Sequence, residues 1–326
     1  MIASGAPVHP EIEPSAHGML ETGDGNAIYW ETCGSEDGKP ALVVHGGPGS
    51  GCTPWHRRLF DPAAYRIVLF DQRNCGRSRP HAADPATSLA ANTTPHLIAD
   101  MELLREHLAM DRWLLLGGSW GSTLALAYAE AHRDRVSEVV LFGVTTDRRS
   151  EADWLFREGL APMFPEQWAR RREAVPDAFR GDDIVESYRR MLESGDPEIR
   201  ELAAYEWCMW ESVTPAWPPR EGLSPRFEDA EFRMAFARLV THYIANDGFI
   251  EDDAVFRDIE LVADIPAVLI NGRYDLQAPL GTAWELARRW PSAELVVVGD
   301  AGHAATPPIA DEIVRATDRF AATSIR

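Results

Sequence analysis

The chain has 326 residues, of which 45% are apolar and 25% are charged, a composition typical of a globular protein of one or two domains. Its formal net charge of −19 argues against nucleic acid or an anionic membrane as partner. No apolar run approaches the roughly 18 residues that cross a membrane, and residues 1–18 lack the apolar stretch of a secretory signal. The widely spaced cysteines predict free thiols, and we expect a cytoplasmic location.

Short apolar runs typical of β-strands recur along the chain, and segments with helical periodicity separate them. The predicted strands are residues 40–44, 66–70, 113–116, 136–142, 265–270 and 293–298, and the predicted helices are residues 96–110, 122–132 and 282–290. Apolar strands that alternate with helices are typical of parallel sheets covered on both faces. We therefore predict an α/β fold with a mostly parallel sheet and helices on both sides.

The segment from about Thr145 to Arg257 has a different character. Bulky aromatic residues gather in runs such as Trp154-Leu155-Phe156, the periodicity is helical, and no run is convincing as a strand. This pattern predicts a helical insertion between two strands of the sheet. The expected division is a core formed by residues 1–144 and 258–326 and a helical cap formed by residues 145–257.

The sequence Gly117-Gly118-Ser119-Trp120-Gly121 lies between a predicted strand and a predicted helix. Strand, G-x-S-x-G and helix form the context of a nucleophile elbow, in which a sharp turn holds the serine hydroxyl out at the end of the strand. The glycines are needed because side chains there would collide with the neighbouring strand and helix. Ser119 is therefore the predicted nucleophile.

The predicted base is a histidine near the end of the chain. A serine hydroxyl needs a base to take its proton, and in this topology the chain order is serine, acid, histidine. After Ser119, His132 ends the elbow helix and His242 lies in the helical insertion. His303 follows the last predicted strand, at the edge of the sheet where reactive loops lie.

The predicted acid is Asp275, in the loop after the strand at 265–270. Asp264 and Asp300 are weaker candidates, because the first precedes a strand and the second is close in sequence to His303. An acid in this role keeps the imidazole in the correct tautomer. The predicted triad is Ser119, Asp275 and His303.

Two backbone N–H groups are predicted to form an oxyanion hole, which acyl transfer requires for its tetrahedral intermediate. Trp120 follows the nucleophile at the start of a helix, and Gly47 lies in the glycine-rich loop 45–49 after the strand at 40–44. Both positions lie at the same predicted edge of the sheet.

Several motifs stand out when they are taken together: His-Gly-Gly-Pro-Gly at 45–49, Asp-Gln-Arg-x-x-Gly-Arg-Ser at 71–78, Asn-Thr-Thr at 92–94 and Gly-Gly-Ser-Trp-Gly-Ser-Thr-Leu at 117–124. Their combination closely resembles the proline iminopeptidases, a family of serine peptidases with the α/β-hydrolase fold and a helical cap. The similarity extends through residues 272–275 and 302–303, so it covers nearly the whole chain. The resemblance implies removal of one N-terminal residue from a peptide or amide through an acyl-enzyme.

The resemblance also implies an anchor for the substrate's free ammonium. The family holds this group with cap carboxylates, one of them in a Trp-x-x-Trp-Glu segment, and residues 207–211 match that segment. Glu211 is therefore the expected anchor, since a desolvated ammonium requires a carboxylate partner.

The chain departs from the family at positions that resemble its proline pocket. Val240 stands where a second glutamate is typical, and Thr145, Leu155, Ile244 and Ala278 stand where the family carries other, often aromatic, residues. We expect Thr145, Leu155, Val240 and Ile244 to contact the substrate. The departures imply a first-residue preference altered from strict proline.

The leading hypothesis is a serine aminopeptidase acting on a small peptide or aminoacyl amide with a free amine, without a cofactor or a metal. A variant is a hydrolase that removes a protecting aminoacyl group from a small natural product, as in antibiotic biosynthesis. An esterase with the same triad is a further alternative, although a neutral ester gives Glu211 nothing to pair with. A non-catalytic ligand-binding protein is the remaining one.

Overall fold

The computed structural model describes residues 8–219 and 221–322, and its centre is a mixed sheet. Within these residues the sheet has eight strands in the order β1-β2-β4-β3-β5-β6-β7-β8. Strands β3 to β8 are mutually parallel, whereas β1 and β2 pair antiparallel at one edge. The strands are β1 Ala16–Glu21, β2 Ala27–Gly34, β3 Lys39–Val44, β4 Tyr65–Asp71, β5 Trp113–Gly118, β6 Val136–Phe142, β7 Ala267–Gly272 and β8 Ala293–Val298.

Helices cover both faces of this sheet. The helices are α1 Pro54–Arg57, α2 Thr94–His107, α3 Trp120–Ala131, α4 Arg149–Phe156, α5 Pro165–Glu173, α6 Ile184–Leu192, α7 Pro197–Val213, α8 Ala230–Ile244, α9 Ala254–Asp258, α10 Leu280–Arg289 and α11 Pro307–Ala321. Helices α2, α3, α9 and α10 share one apolar cluster with the sheet, and α1 and α11 contribute to the cluster on the opposite face. The predicted α/β architecture with helices on both sides is confirmed.

The strands are apolar on both sides because each side contributes to a different core. In β3, Leu42 and Val44 belong to one cluster while Ala41 and Val43 belong to the other. Successive side chains of a strand point to opposite faces, so a strand between two helical layers reads as an unbroken apolar run. This is why the central strands were predictable from sequence.

The two edge strands β1 and β2 were not predicted. The residues of β1 are half-exposed or exposed, and those of β2 are half-exposed or buried, because an antiparallel edge has less helix above it. Strand β7 begins at Ala267 rather than at Ile265, since Pro266 cannot donate to a sheet ladder.

The segment between β6 and β7 is helical, and its described residues contain no strand. Helices α4 and α6 to α8 share a separate apolar cluster, the cap core, which includes Phe156, Trp207 and Val240. The division at residues 145 and 257 stays a prediction, and Val255 and Phe256 already belong to the cluster of the sheet. In the described part of the chain, none of the helices has the length and apolar character needed to cross a membrane.

Candidate active site

Loops from several parallel strands meet at one edge of the sheet, beneath the cap. They follow the carboxyl ends of β3, β5, β6, β7 and β8, which is where ligands bind in open α/β sheets. A cavity of about 60 Å³ lies there, and it is called the catalytic cavity below. It is lined by Gly47, Pro48, Ser119, Trp120, Thr145, Asp147, Glu151, Ala152, Leu155, Phe156, Glu211, Tyr243, Ile244, Gln277, Ala278 and His303.

Ser119 occupies the tight turn between β5 and α3. Its backbone has φ 55° and ψ −129°, a conformation that is unfavourable for a residue with a side chain and typical of functional sites. Its N–H donates to the carbonyl of Phe142 on the neighbouring strand at 3.0 Å. The hydroxyl-bearing residue is thereby held at the end of β5, on the wall of the catalytic cavity.

The glycines around Ser119 let three segments of backbone approach closely. A Cβ atom on Gly121 would lie 2.0 Å from the carbonyl oxygen of Val44, and one on Gly117 would lie 2.3 Å from the carbonyl oxygen of Gly121. A Cβ atom on Gly118 would lie 2.1 Å from the ring of Phe142. The turn can therefore form only where these positions lack side chains.

Asp275 holds the imidazole of His303. The Nδ1 atom of His303 lies 2.8 Å from Oδ2 and 3.0 Å from Oδ1 of Asp275. The carboxylate also accepts hydrogen bonds from the backbone N–H groups of Gln277 and Ala278 at 3.0 and 2.8 Å. This arrangement fixes a neutral imidazole with its proton on Nδ1 and its Nε2 free to accept a proton.

The pKa of His303 reflects two opposing effects. Burial by itself would lower this pKa, but the Asp275 carboxylate at Nδ1 favours the imidazolium, and the pKa lies above its ordinary value. The base is therefore stabilised in the protonated form that it would adopt during acyl transfer.

The other candidates for base and acid lie elsewhere. His242 contacts the carbonyl of Asn92 at 2.9 Å, and His132 lies against the ring of Tyr128. Asp264 is exposed and pairs with Arg133. Ser119 and His303, in contrast, line one cavity, so the structure brings the predicted triad together.

Both predicted oxyanion-hole residues, Gly47 and Trp120, line the catalytic cavity, and Trp120 is the first residue of α3. The side chain of Gln72 links the two segments. Its amide donates to the carbonyl of His45 at 2.7 Å, and its oxygen accepts from the Trp120 indole at 3.1 Å. Gln72 thus fixes the glycine-rich loop relative to the start of α3.

Glu211 lies on α7 at the wall of the catalytic cavity, after the buried Trp207 and Trp210. Its Oε2 accepts a hydrogen bond of 3.0 Å from the side-chain amide of Gln277, which also donates to Thr214. Burial raises the pKa of the Glu211 carboxyl, and this outweighs the opposing charge of Arg226 and the hydrogen bond of Gln277. No described residue forms an ion pair with Glu211, so the carboxyl can receive a cation.

The predicted substrate contacts are divided between the cavity and the cap core. Thr145, Leu155 and Ile244 line the catalytic cavity. Val240 does not line it, because its side chain is fully buried in the cap core. It lies four residues before Ile244 on α8, a rise of about 6 Å along the helix, which is enough to remove it from so small a cavity.

Several residues of this cavity were not predicted. Gln277 holds Glu211, the ring of Tyr243 contacts that of Trp120 with centroids 4.7 Å apart, and Asp147 lies on the wall. No local sequence pattern distinguishes a glutamine, tyrosine or aspartate in such a role. The position of Gln277 two residues after Asp275 was the one available signal.

A loop of the cap is bonded to the loop that carries His303. The carbonyl of Pro215, which follows α7, accepts hydrogen bonds from the backbone N–H groups of His303 and Ala304 at 2.9 and 3.1 Å. Beside them, Trp217 stacks on Tyr274 with ring centroids 4.8 Å apart. The loop after α7 and the loop after β8 are therefore in direct contact.

Comparison with known proteins shows close relatives over nearly the whole chain. Residues 39–306 match the family model described as alpha/beta hydrolase fold. The chain is 49% identical to a probable proline iminopeptidase of Streptomyces coelicolor, over 96% of this chain and 98% of that protein. It is 46% identical to a proline iminopeptidase of Xanthomonas citri, over 96% and 99% of the two chains. A proline iminopeptidase of Arabidopsis thaliana is 43% identical, over 97% of this chain and 82% of that protein.

Solved structures share the fold at lower sequence identity. A bromoperoxidase from Bacillus anthracis superposes with a TM-score of 0.65 at 19% identity, covering 94% of this chain and 99% of that chain. A proline iminopeptidase-related protein from Thermus thermophilus gives a TM-score of 0.56 at 22% identity, covering 94% and 96%. These structures confirm the α/β-hydrolase fold, and the full-length relatives add the family. The chain is a hydrolase that belongs to the proline iminopeptidase family.

Proposed function

We propose that this protein is a serine aminopeptidase that hydrolyses the amide bond after a free N-terminal aminoacyl residue. The observation that carries the proposal is the pairing of His303 with Asp275 at the cavity that also contains Ser119 and Glu211. The proposed nucleophile Ser119, the oriented base His303 and the carboxyl of Glu211, which has no ion-pair partner among the described residues, therefore line one small cavity. The family of the chain supports the same activity.

The first half of the reaction forms an acyl-enzyme. The Ser119 oxygen attacks the carbonyl carbon while Nε2 of His303 takes the hydroxyl proton. The negative charge on the carbonyl oxygen is stabilised by the backbone N–H groups of Gly47 and Trp120. His303 then gives its proton to the leaving amine as the C–N bond breaks.

The second half releases the first residue. A water molecule attacks the ester carbonyl of the acyl-enzyme, and His303 takes its proton. Collapse of the second tetrahedral intermediate breaks the bond to Ser119, whose oxygen regains the proton. The products are a free amino acid and the shortened peptide or amine.

Glu211 supplies the selection for a free amine. The described residues that line the catalytic cavity include three carboxyl side chains, those of Asp147, Glu151 and Glu211, and no lysine or arginine. A partly desolvated cavity that contains carboxyl groups and no lysine or arginine favours a cationic group. A neutral ester or an N-blocked peptide would leave the half-buried Glu211 without a cationic partner, which supports an aminopeptidase over an esterase.

The first-residue preference is proposed to extend beyond proline. Thr145, Leu155 and Ile244 line the cavity as small or aliphatic side chains, so these three positions supply no ring against a pyrrolidine, and the rings that line the cavity are those of Trp120, Phe156 and Tyr243. The same chemistry would remove an aminoacyl group from a natural product with a bulky amine, provided that the leaving group extends out of the cavity.

A panel of aminoacyl-β-naphthylamides tests the proposal, with proline, alanine, glycine and larger first residues and an N-acetylalanyl control. We expect hydrolysis of several members, no hydrolysis of the blocked control, and a loss on the order of 10⁶-fold in kcat for Ser119→Ala. Labelling by a fluorophosphonate should require Ser119. An enzyme that is labelled at Ser119 and cleaves simple esters, but none of the naphthylamides, would be an esterase instead.

A further inference from the structure

The Asn-Thr-Thr sequence at 92–94 does not line the catalytic cavity, yet its first side chain contacts both the core and the cap. The amide nitrogen of Asn92 donates to the carbonyl of Arg73 and to the side-chain oxygen of Asn74, each at 3.0 Å. Its amide oxygen accepts a hydrogen bond of 2.7 Å from the hydroxyl of Tyr243 on α8. An amide supplies the two N–H donors and the acceptor that these contacts need, whereas a carboxylate of the same size has no donor.

The position of Asn92 itself is fixed. The residue is only 2% exposed, and its backbone N–H donates to the carbonyl of Leu89 at 2.8 Å. Its own carbonyl lies 2.9 Å from Nε2 of His242. Two consecutive residues of α8, His242 and Tyr243, therefore bind one residue of the core, and burial protects these bonds from competition with water.

Tyr243 extends this contact to the start of α3. Its ring packs edge-on against the ring of Trp120, with centroids 4.7 Å apart and an interplanar angle of 61°, which is a favourable arrangement of two aromatic rings. Both side chains are buried. Trp120 is the first residue of α3, and its backbone N–H is one of the two proposed donors to the oxyanion.

Gln72 closes the path back to Asn92. Its side-chain oxygen accepts from the Trp120 indole at 3.1 Å, and it directly precedes Arg73, whose carbonyl binds Asn92. Its amide also donates to the carbonyl of His45 at 2.7 Å, at the start of the glycine-rich loop. This closed set of contacts, the Asn92 circuit, consists of Asn92, Tyr243, Trp120, Gln72 and Arg73.

We propose that Asn92 is a positioning residue for acyl transfer, which acts through Tyr243 on one side and Arg73 on the other. The Asn92 circuit fixes the start of α3 relative to the glycine-rich loop, and so places the N–H groups of Trp120 and Gly47 around the developing oxyanion. Donors stabilise such a charge best when they are oriented before it forms. The inference rests on the proposed function for the assignment of these two donors, but it does not require the substrate to carry a free amine.

Two variants open the circuit at different points. Tyr243→Phe keeps the ring and removes the hydroxyl, and Asn92→Asp keeps the size of the side chain and its acceptor while it removes both donors. We expect each to lower kcat/KM by about tenfold, equally for alanyl-β-naphthylamide and for β-naphthyl propionate, because the two substrates form the same oxyanion. Rates are expressed per active enzyme, as titrated by fluorophosphonate labelling of Ser119.

Thr93→Val is the matched control. It removes a hydroxyl from the same short sequence, but that hydroxyl contacts only the nearby His96, at 2.7 Å, and takes no part in the circuit. We expect wild-type kcat/KM on both substrates.

A second measurement separates positioning from general support of the fold. The Ser119 oxygen adds to the carbonyl carbon of 1,1,1-trifluoro-2-butanone, the hydroxyl proton passes to Nε2 of His303, and the carbonyl oxygen becomes an oxyanion in the hole. We expect the inhibition constant of this ketone to rise in Tyr243→Phe and Asn92→Asp by the same factor as kcat/KM falls. A variant that merely unfolds more easily would keep the wild-type inhibition constant.

The double variant tests whether the two residues act in one circuit. Once the circuit is open at Asn92, removal of the Tyr243 hydroxyl should have little further effect, so the loss should match the larger of the two single losses. Losses that multiply would show that the two residues act independently and would contradict the inference.

Three further results would overturn it. These are wild-type kcat/KM in the folded single variants, a loss of kcat/KM with an unchanged inhibition constant, and a loss confined to the alanyl substrate, which would assign Tyr243 to recognition of the amine. If one single variant fails to fold, the other decides the question. A wild-type enzyme that cleaves only the propionate would reject the proposed aminopeptidase function, while the ester and the ketone would still test the Asn92 circuit.

Discussion

Both carboxylate oxygens of Asp275 lie within 3.0 Å of the Nδ1 atom of His303. The backbone N–H groups of Gln277 and Ala278 bind the same carboxylate, so it cannot rotate away from the imidazole. The orientation of the His303 imidazole is therefore set by the loop after β7.

Replacing Asp275 by Asn should reduce kcat by about 10⁴-fold. The variant keeps the size of the side chain, but its amide favours the wrong tautomer of His303. The measurement is single-turnover hydrolysis of the best naphthylamide. As a control, Asp264→Asn changes an exposed aspartate that pairs with Arg133 and should retain wild-type kcat; a comparable loss there would argue against Asp275 as the acid.

The pH dependence of kcat/KM should follow the raised pKa of His303. The base must be neutral to accept a proton, so activity should decline as the pH falls through a value above 6.5, the ordinary histidine pKa. In Asp275→Asn the burial remains while the carboxylate is lost, so the residual activity should decline at lower pH. A neutral ester is the preferred substrate because it has no amine that titrates in the same pH range. Identical acid limbs in the two proteins would show that another group controls the profile.

Glu211→Gln should cost roughly 2–5 kcal/mol in kcat/KM for aminoacyl amides, with much less effect on a neutral ester. The substitution removes the charge that binds the ammonium while preserving the contact with Gln277. Kinetics on alanyl-naphthylamide and naphthyl propionate give the comparison. Glu206→Gln, five residues earlier on α7 and outside the cavity wall, is the control. Matching losses on both substrates would mean that Glu211 supports the fold only.

The closeness of Gly121 to the backbone of β3 predicts a large effect on stability. A methyl group at Gly121 would lie 2.0 Å from the Val44 carbonyl, and the required shift should destabilise the protein by about 3 kcal/mol or more. Gly281→Ala is the matched control, because a Cβ atom there meets nothing within 4 Å in helix α10, and it should stabilise by about 0.5–1 kcal/mol. Denaturant unfolding measures both changes.

The buried carboxyl of Asp147 should make stability depend on pH in a particular direction. Its folded-state pKa of about 8 lies above the ordinary aspartate pKa of 3.8, so between these values the unfolded chain binds fewer protons and the wild type loses stability as the pH rises. Asp147→Asn removes this penalty. We expect Asp147→Asn to have a higher free energy of unfolding than the wild type, as measured by urea unfolding. This increase should be larger at pH 8 than at pH 4 by about 1–3 kcal/mol. A gain independent of pH would show that Asp147 is ionised throughout.

The sequence predicted those parts of the site that depend on local geometry. The elbow around Ser119 and the loop containing Gly47 require glycines next to strands, and such requirements leave a local pattern. His303 was identified through chain order at the sheet edge. These positions lie together as expected because parallel strands end at one edge.

The remaining contacts depend on how distant segments meet. Asp147 and Gly248 are brought together only when the start and the end of the cap fold against each other, and Gln277 meets Glu211 across the boundary between core and cap. Val240 and Ile244 share a helix face, yet only the second reaches the cavity. Periodicity identifies the face of a helix, but not which turn of the helix lies beside a pocket.

The bonds between Pro215 and the segment His303–Ala304 couple recognition to chemistry. Pro215 follows Glu211 by four residues, so the carboxyl that we propose to bind the amine is linked through a short stretch of chain to the imidazole that we propose to receive the proton. Any tilt of α7 that widens the entrance must either carry the imidazole with it or break both backbone bonds. Such a tilt would widen the entrance and leave the imidazole displaced or its loop unsupported. The enzyme would then regain activity only when α7 returned to its closed position.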